Sequence, residues 1–294
     1  MENYRTLKTT DGATLSYRLL RSSSVQKPLI VLLHGMASNM TRWSEFLEHT
    51  KLKQHWDILR LDLRGHGESF WRGRLHMQLW CEDLRAILDA EGYDQAVLIG
   101  HSLGAQVAVN FGARYPQRMR GLVLIDPVFY QALRGKMRRF GLLRSCARGF
   151  TALIRLLNFF GLRRRSIPNR DLQKLDALTR ERFLDVGKQK EMLELYSSPW
   201  EDLKYFPTAS FIHELMEIIR PLPSLATIPA PILALLSSAM TYTDPVRTRE
   251  ILAAHPRTTI VALNAYHWPL TESPVQVREA IEDWCEQLRL NKII

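Results

Sequence analysis

Residues 96–109 read AVLIGHSLGAQVAV, an apolar segment that breaks at a glycine and continues with helical character. Ser102 stands between Gly100 and Gly104, which gives the pattern G-x-S-x-G. A nucleophile on a sharp strand-to-helix turn needs small residues at these two positions, because the backbone there is strained and crowded. The segment therefore predicts a strand, a helix directly after it, and Ser102 as a candidate nucleophile on the turn between them.

Short apolar strands alternate with helices on both sides of this turn. The predicted strands are a pair around the Asp11-Gly12 turn, one that ends near Asp62, and segments at 28–33, 121–126, 231–236 and 258–263. Helices are predicted at 245–254 and 274–288. Strands that alternate with helices predict an α/β fold, with a mostly parallel central sheet and helices on both faces.

The alternation stops after Asp126 and resumes near residue 227. Residues 127–226 have helical periodicity and no good strand, so we expect a helical insertion there. The predicted organisation is an α/β core, made of residues 1–126 plus 227–294, and a helical lid of residues 127–226. Such a lid would cover the carboxyl ends of the strands, where open α/β sheets bind ligands.

The composition is that of an ordinary globular protein, with 46% hydrophobic and 24% charged residues in a chain of 294. The N-terminus lacks the apolar region of a secretory signal, and no segment approaches the roughly 18 apolar residues of a membrane span. Cys81, Cys146 and Cys285 are far apart and lack the spacing of a metal site. We therefore expect a cytoplasmic protein with reduced thiols that uses neither a metal nor a cofactor.

Four motifs along the chain resemble the α/β-hydrolase fold family in its lid-bearing form. His34-Gly35-Met36 is similar to the H-G-x oxyanion turn, and residues 62–69, DLRGHGES, are similar to the D-x-R-G-x-G-x-S loop. Gly100–Gly104 matches the nucleophile elbow. Residues 264–269, NAYHWP, resemble the catalytic histidine loop, although Asn264 and Tyr266 stand where the family often has glycine. The resemblance implies that the backbone N–H groups of Met36 and Leu103 hold the oxyanion.

A serine hydroxyl is a weak nucleophile and needs a base to take its proton. Among the nine histidines, His267 is the one in a loop between the last predicted strand and the last predicted helix, so we expect it to be that base. His101 adjoins Ser102 in sequence, but its side chain should point away and pack. We expect His34 and His66 to position backbone segments through hydrogen bonds.

The acid that would orient His267 has two candidates. The position where the family usually carries it falls near Met240, which has no carboxylate. Asp244 follows, but Asp244-Pro245 is a typical start of a helix, with the aspartate as N-cap. Asp126 ends a predicted strand that we expect to lie next but one to the strand of Ser102, and certain lipases and dehalogenases carry the acid there. We therefore favour Asp126 and keep Asp244 as the alternative.

The net charge of +10 arises from one basic block between residues 131 and 170. The block contains no Asp or Glu and comprises Arg134, Lys136, Arg138, Arg139, Arg144, Arg148, Arg155, Arg163, Arg164, Arg165 and Arg170. Apolar residues recur with helical spacing from Leu143 to Phe160, with Arg144, Arg148 and Arg155 on the other side. We expect the apolar side to cover the active site and the cationic side to face solvent.

Two other interpretations of the basic lid remain open. Its cationic side, with Arg163–Arg165 at the end, could rest on an anionic membrane surface, which would make the protein peripheral to the membrane. It could instead bind an acidic carrier such as acyl-carrier protein. The block lacks interleaved aromatic residues that would stack on bases, which argues against nucleic acid.

These residues together predict a serine hydrolase of the carboxylesterase or lipase type (class 3.1.1) that acts on a fairly apolar acyl ester. A thioesterase or esterase acting on a carrier-bound or membrane-derived acyl group is the first alternative. A non-catalytic binding protein on the same fold is the second. The nucleophile position holds Ser102, whereas dehalogenases and epoxide hydrolases of the family use Asp there, which argues against their chemistry.

Overall fold

The computed structural model describes residues 2–183, 194, 196–239 and 242–290, and Met240 lies outside them. These residues form one eight-stranded sheet in the order β1-β2-β4-β3-β5-β6-β7-β8. The strands are β1 Glu2–Lys8, β2 Thr14–Leu20, β3 Leu29–Leu33, β4 Asp57–Leu61, β5 Ala96–His101, β6 Met119–Ile125, β7 Ile232–Ser237 and β8 Thr258–Leu263. β1 pairs with β2 and β2 with β4 antiparallel, and the other pairs are parallel. The predicted α/β fold class is confirmed.

The strand of the expected acid lies closer to the nucleophile strand than predicted. β6 pairs directly with β5, with Gly100 opposite Leu124 and His101 opposite Ile125. The expectation of one intervening strand is therefore wrong. The described residues between β6 and β7 form helices outside the sheet. The chain then returns to the sheet, where β7 pairs with β6 on the side opposite β5.

Helices cover both faces of the sheet. They are α1 Ser44–His49, α2 Met77–Glu91, α3 Leu103–Arg114, α4 Gly135–Leu142, α5 Arg144–Phe159, α6 Leu172–Phe183, α7 Pro199–Tyr205, α8 Thr208–Ile218, α9 Pro245–Ala253, α10 Pro269–Glu272 and α11 Pro274–Leu290. β3 is fully buried because its side chains alternate between two cores. Leu29, Val31 and Leu33 pack in the core that includes residues of α2 and α3. Ile30 and Leu32 pack in the core that includes Trp43 and residues of α11.

Helices α4 to α8 form an insertion between β6 and β7, as the helical periodicity predicted. Buried polar contacts tie it to the rest of the protein. The Arg42 guanidinium pairs with Asp176 of α6 and donates to Thr271 Oγ1 at 2.8 Å. Gln106 of α3 donates to the carbonyl of Ile218, at the end of α8, at 2.8 Å. These contacts fix the position of α6 and α8; the role of residues 127–226 as a lid stays a prediction.

The expected orientation of α5 is wrong. Phe150, Leu153 and Leu157 were expected to cover the active site, but they are 54%, 51% and 40% exposed. Thr151, on the opposite side of the helix, is buried. α5 packs against α8, and small side chains such as Thr151 allow the two helices to approach closely. Helical periodicity defined the two sides of α5 correctly but could not tell which side faces the protein.

Candidate active site

Ser102 lies on the turn between β5 and α3 in a strained conformation, with φ +51° and ψ −111°. Its amide donates to the carbonyl of Ile125 at 2.9 Å, which attaches the turn to β6. A side chain at Gly100 would overlap the Gly104 carbonyl, and one at Gly104 would overlap the Leu33 carbonyl. The two glycines are therefore required by close backbone packing, as the sequence pattern predicted.

His267 lies beside Ser102, with its Nε2 3.3 Å from Ser102 Oγ. The loop that carries it follows β8 and is held by Glu272, whose carboxylate accepts from the amides of Tyr266 at 2.8 Å and Trp268 at 2.9 Å. A third amide, that of His267, donates to the same carboxylate at 3.3 Å. One carboxylate thus accepts from three consecutive amides and fixes the backbone of the loop around His267.

His101 also holds this loop. Its Nε2–H donates to the backbone carbonyl of His267 at 2.8 Å, and the two imidazole rings lie 5.3 Å apart. Sequence reasoning correctly gave His101 a packing role but missed this hydrogen bond. It also gave no role to Glu272, whose closeness to His267 in sequence was the only available signal.

Asp126 is the carboxylate that the fold brings to His267. Its Oδ2 lies 3.7 Å from His267 Nδ1, an ion-pair distance that is longer than a hydrogen bond. Ser237, at the end of β7, donates its amide to Oδ1 at 2.7 Å and its hydroxyl to Oδ2 at 2.5 Å. Asp126 has φ +45°, so its backbone leaves the β6 direction at this residue. Ser102, His267 and Asp126 thus converge from the ends of β5, β8 and β6.

Asp244 lies at the start of α9, where it is the N-cap. Its Oδ1 accepts from the Arg247 amide at 3.0 Å, and its Oδ2 pairs with Arg134. Both carboxylate oxygens therefore have partners at the helix N-terminus. The Arg247 hydrogen bond and Arg134 hold the pKa of this exposed carboxyl below its usual value.

Burial disfavours charge on each titratable group of the site. It raises the pKa of Asp126 to about 7, against the two hydrogen bonds from Ser237, which favour the carboxylate. It lowers the pKa of His267 to about 3 and that of His101 to about 4. His267 is therefore kept as a neutral imidazole, the form that can accept a proton from the Ser102 hydroxyl.

The predicted oxyanion residues lie at the ends of neighbouring elements. Leu103 is the first residue of α3, so its amide belongs to the first turn, whose N–H groups have no partner within the helix. Met36 follows β3 in the turn of His34 and Gly35. A side chain at Gly104 would also meet the His34 carbonyl, at 2.7 Å, so the start of α3 packs against this turn.

Hydrogen bonds order the two loops beside the site. His34 Nδ1–H donates to the Gly35 carbonyl at 2.8 Å, and its Nε2 accepts from the Leu63 amide at 3.0 Å. Asp62 accepts from the amides of Met40 at 2.7 Å and Glu68 at 2.8 Å. The expected backbone-positioning role of His34 is thereby confirmed, since its ring joins the loop after β3 to the loop after β4.

His66 contacts backbone as expected and also contacts the helical insertion. Its Nε2 lies 3.2 Å from Glu214 Oε2 of α8, and both side chains are fully buried. Its ring also packs on Phe206, with the centroids 4.5 Å apart. His66 therefore attaches the helical insertion to the core in addition to ordering its own turn, for which it makes a 3.4 Å contact to the Arg64 carbonyl.

Aromatic rings surround the His267 imidazole. Tyr242 packs edge-on at 5.0 Å and Trp268 at 5.6 Å between ring centroids. Tyr196, from the insertion, packs on Trp268 at 5.4 Å. Ser102 and His267 are themselves only 7% and 9% exposed. Ser102 and His267 are therefore buried, and aromatic rings pack on the His267 imidazole.

Three side chains of the site could in principle face one cation. His101, Asp126 and His267 offer ligand atoms within 4.8 Å of one another. However, His101 Nε2 is bonded to the His267 carbonyl, and both Asp126 oxygens accept from Ser237. These hydrogen bonds already occupy one ring nitrogen of His101 and both carboxylate oxygens of Asp126. Among the described residues, no other group of three such ligands lies this close together.

A G-x-S-x-G turn between a strand and a helix at the centre of a mostly parallel sheet is typical of the α/β-hydrolase fold. The family model for the alpha/beta hydrolase fold matches residues 28–274 of the chain. The chain therefore belongs to the α/β-hydrolase fold family, and the resemblance noted in its motifs is confirmed.

Curated relatives include proteins named for several hydrolase activities. A Haemophilus influenzae "Putative esterase/lipase" is 31% identical over 103 residues, 35% of this chain and 35% of the relative. Human "Epoxide hydrolase 4" is 31% identical over 38% of this chain and 31% of its own. A "Probable lysophospholipase L2" from Haemophilus influenzae is 25% identical over 88% of this chain and 83% of its own. The chain spans about a third of the length of the first of these relatives.

Among solved structures, a hydrolase from Pseudomonas aeruginosa superposes with a TM-score of 0.69 and 24% identity, covering 96% of this chain and 98% of the other. At this level of identity the similarity establishes the fold. The described part of the chain contains no helix both long enough and apolar enough to cross a membrane.

Proposed function

We propose that the protein is a serine hydrolase that cleaves carboxylic esters with a fairly apolar acyl group through an acyl-enzyme intermediate. The observation that carries the proposal is the 3.3 Å approach of His267 Nε2 to Ser102 Oγ on the strained turn. A hydroxyl and a neutral imidazole at this distance form the nucleophile–base pair that ester cleavage needs.

In the first half of the reaction, Ser102 Oγ attacks the ester carbonyl carbon while His267 Nε2 takes the hydroxyl proton. The carbonyl oxygen becomes an oxyanion, which the amides of Met36 and Leu103 stabilise; each such donor contributes about 3 kcal/mol to lowering the barrier. Asp126 orients His267 and stabilises the imidazolium that forms. The tetrahedral intermediate expels the alcohol, which receives the proton from His267.

In the second half, water replaces the alcohol. The oxygen of a water molecule attacks the acyl carbonyl while His267 takes a proton from that water. The second tetrahedral intermediate then releases the carboxylic acid. The proton returns to Ser102 Oγ, so the enzyme ends in its starting state. Thioesters follow the same steps with a thiol as the leaving group, and remain the first alternative substrate.

The named relatives guide the choice of substrate. The lysophospholipase relative spans most of the chain, so long-chain acyl esters of lysophospholipids are a second candidate beside simple apolar esters. The epoxide hydrolase relative suggests a different reaction. Members with that chemistry carry Asp at the nucleophile position, where this chain has Ser102, which argues for ester cleavage.

Labelling with a fluorophosphonate probe tests the proposal. The wild type should be labelled and Ser102→Ala should not, whereas Ser145→Ala, which removes an exposed serine of α5, should be labelled like the wild type. Wild-type protein that resists the probe would favour a non-catalytic binding protein. A panel of esters and thioesters graded by acyl length, with lysophosphatidylcholine included, then defines the substrate; hydrolysis of an epoxide but of no ester would overturn the proposal.

A further inference from the structure

Helix α5 presents its apolar side to solvent. Six large side chains on this side define what we term the α5 apolar face: Leu143, Phe150, Leu153, Leu156, Leu157 and Phe160, each between 40% and 71% exposed. They fall within one side of the helix because their spacing follows its period of 3.6 residues. In the described part of the chain they stay uncovered, although burying even one such side chain favours folding by about 2 kcal/mol.

The inward side of α5 is the polar one. Thr151 is its buried residue, and its hydroxyl bonds back to the Ala147 carbonyl at 3.0 Å. Arg155 reaches away from the apolar face and donates to the Gly73 carbonyl, after β4, at 2.9 Å. The Arg155 hydrogen bond ties the polar side of α5 to the loop after β4, and the apolar face points outward. The helix cannot bury this face by rotating without breaking that bond.

Positive charge lies before and after the α5 apolar face along the chain. Arg138 and Arg139 belong to α4, and Arg163 and Arg165 follow the end of α5; all four are exposed. Residues 127–170 contain no Asp or Glu that could neutralise them. The surface therefore combines apolar side chains with a cationic border, the two features by which a surface-bound amphipathic helix recognises anionic lipid.

We propose that α5 docks the protein on an anionic phospholipid surface, with the apolar face among the acyl chains and the arginines against the phosphates. A second copy of the chain fits this surface less well, because pairing through α5 would bring two cationic borders together. An anionic bilayer satisfies both features at once. Each arginine near such a surface contributes about 1 kcal/mol, and each apolar side chain adds to the binding.

Co-sedimentation of the full chain with vesicles tests docking independently of catalysis. The wild type should bind vesicles of phosphatidylglycerol and phosphatidylcholine, and bind phosphatidylcholine vesicles at least about tenfold more weakly. The double variant Phe150→Ser with Leu153→Ser should lose at least about tenfold in binding to the anionic vesicles. The control Leu290→Ser, which changes a 70% exposed leucine of α11, should bind like the wild type.

A charge variant and its control complete the test. Arg163→Glu with Arg165→Glu should also weaken anionic binding at least about tenfold, whereas Arg247→Glu, on α9, should not. Ser102→Ala should bind like the wild type, so docking and the proposed activity can fail separately. Unchanged circular dichroism would show that all the variants are folded, and unchanged hydrolysis of a water-soluble ester would show the same for those that keep Ser102.

Four outcomes would overturn the proposal. The first is a wild type that does not bind anionic vesicles, and the second is equal binding to neutral vesicles, which would remove the role of the arginines. The third is a dimer in solution that the Phe150→Ser, Leu153→Ser variant dissociates, without vesicle binding. The fourth is binding of an acidic carrier protein in place of vesicles, abolished by Arg163→Glu with Arg165→Glu.

Discussion

Ser237 donates both its backbone amide and its hydroxyl to the carboxylate of Asp126, at 2.7 and 2.5 Å. The two residues stand at the ends of the neighbouring strands β6 and β7, so the parallel pairing of these strands brings them together. The two hydrogen bonds favour the ionised carboxylate in a site where burial opposes it. They also fix the direction in which Asp126 Oδ2 faces His267.

The first prediction concerns the acid of the active site. Asp126→Asn should lower kcat for ester hydrolysis by roughly 10³- to 10⁴-fold, because the imidazolium of His267 then lacks its stabilising charge. Steady-state kinetics on a water-soluble ester measure the effect. Asp244→Asn is the matched control, since its carboxylate caps α9. It should keep kcat within about twofold and leave the helix start intact, because asparagine caps helices about as well as aspartate. The opposite pair of results would assign the role to Asp244.

The second prediction concerns stability as a function of pH. Burial raises the pKa of Asp126 from its ordinary 3.8 to about 7, so the folded protein holds this proton more tightly than the unfolded chain does. The contribution of this proton to the free energy of unfolding is complete below about pH 4 and is lost as the pH rises towards 7. Asn carries no charge and keeps an acceptor for the Ser237 amide. Asp126→Asn should therefore gain in melting temperature relative to the wild type as the pH rises from about 4 to 8.

Thermal unfolding followed by circular dichroism at several pH values measures this gain. His267 titrates in both proteins, so its contribution largely cancels in the difference between them. A difference in melting temperature that does not change with pH would show that the buried Asp126 carboxyl does not have a raised pKa.

The third prediction concerns Gly104, two residues after the proposed nucleophile. Gly104→Ala should destabilise the protein by at least about 2–3 kcal/mol or prevent folding, because the new methyl group would overlap the backbone of β3. Gly149→Ala is the matched control within a helix, since a methyl group there would meet no other atom within 4 Å. It should stabilise α5 by up to about 1 kcal/mol. Equal effects of the two substitutions on urea unfolding would contradict the tight packing at the turn.

The fourth prediction concerns the attachment of the helical insertion. Asp176→Ala leaves the buried guanidinium of Arg42 without its carboxylate and should cost about 3–5 kcal/mol of stability. Glu250→Ala removes the partner of Arg247 in an exposed ion pair and should cost less than about 1 kcal/mol. Chemical unfolding of both variants compares them. Similar small losses of stability in both variants would mean that the Arg42 guanidinium can stay buried without the Asp176 carboxylate.

Much of the fold and of the site follows from local sequence. Three features follow from short-range requirements. The strands are apolar because they are buried on both faces, and the helix starts carry capping residues. The glycines around Ser102 are needed because the turn is crowded. His267 could be recognised because it follows the last strand. Glu272 and His101 could not, because their hydrogen bonds to the His267 loop depend on how that loop folds back.

The sequence by itself determined the class of fold and two members of the site, since strand-helix alternation and the G-x-S-x-G turn are local patterns. Only the tertiary structure shows that Asp126, and not Asp244, lies beside His267. Both are followed by proline, but the pairing of β6 with β5 and β7 brings Asp126 to His267, whereas Asp244 begins a helix. The tertiary structure also decided that the apolar side of α5 faces outward. Periodicity defines the sides of a helix, but packing selects the side that is buried.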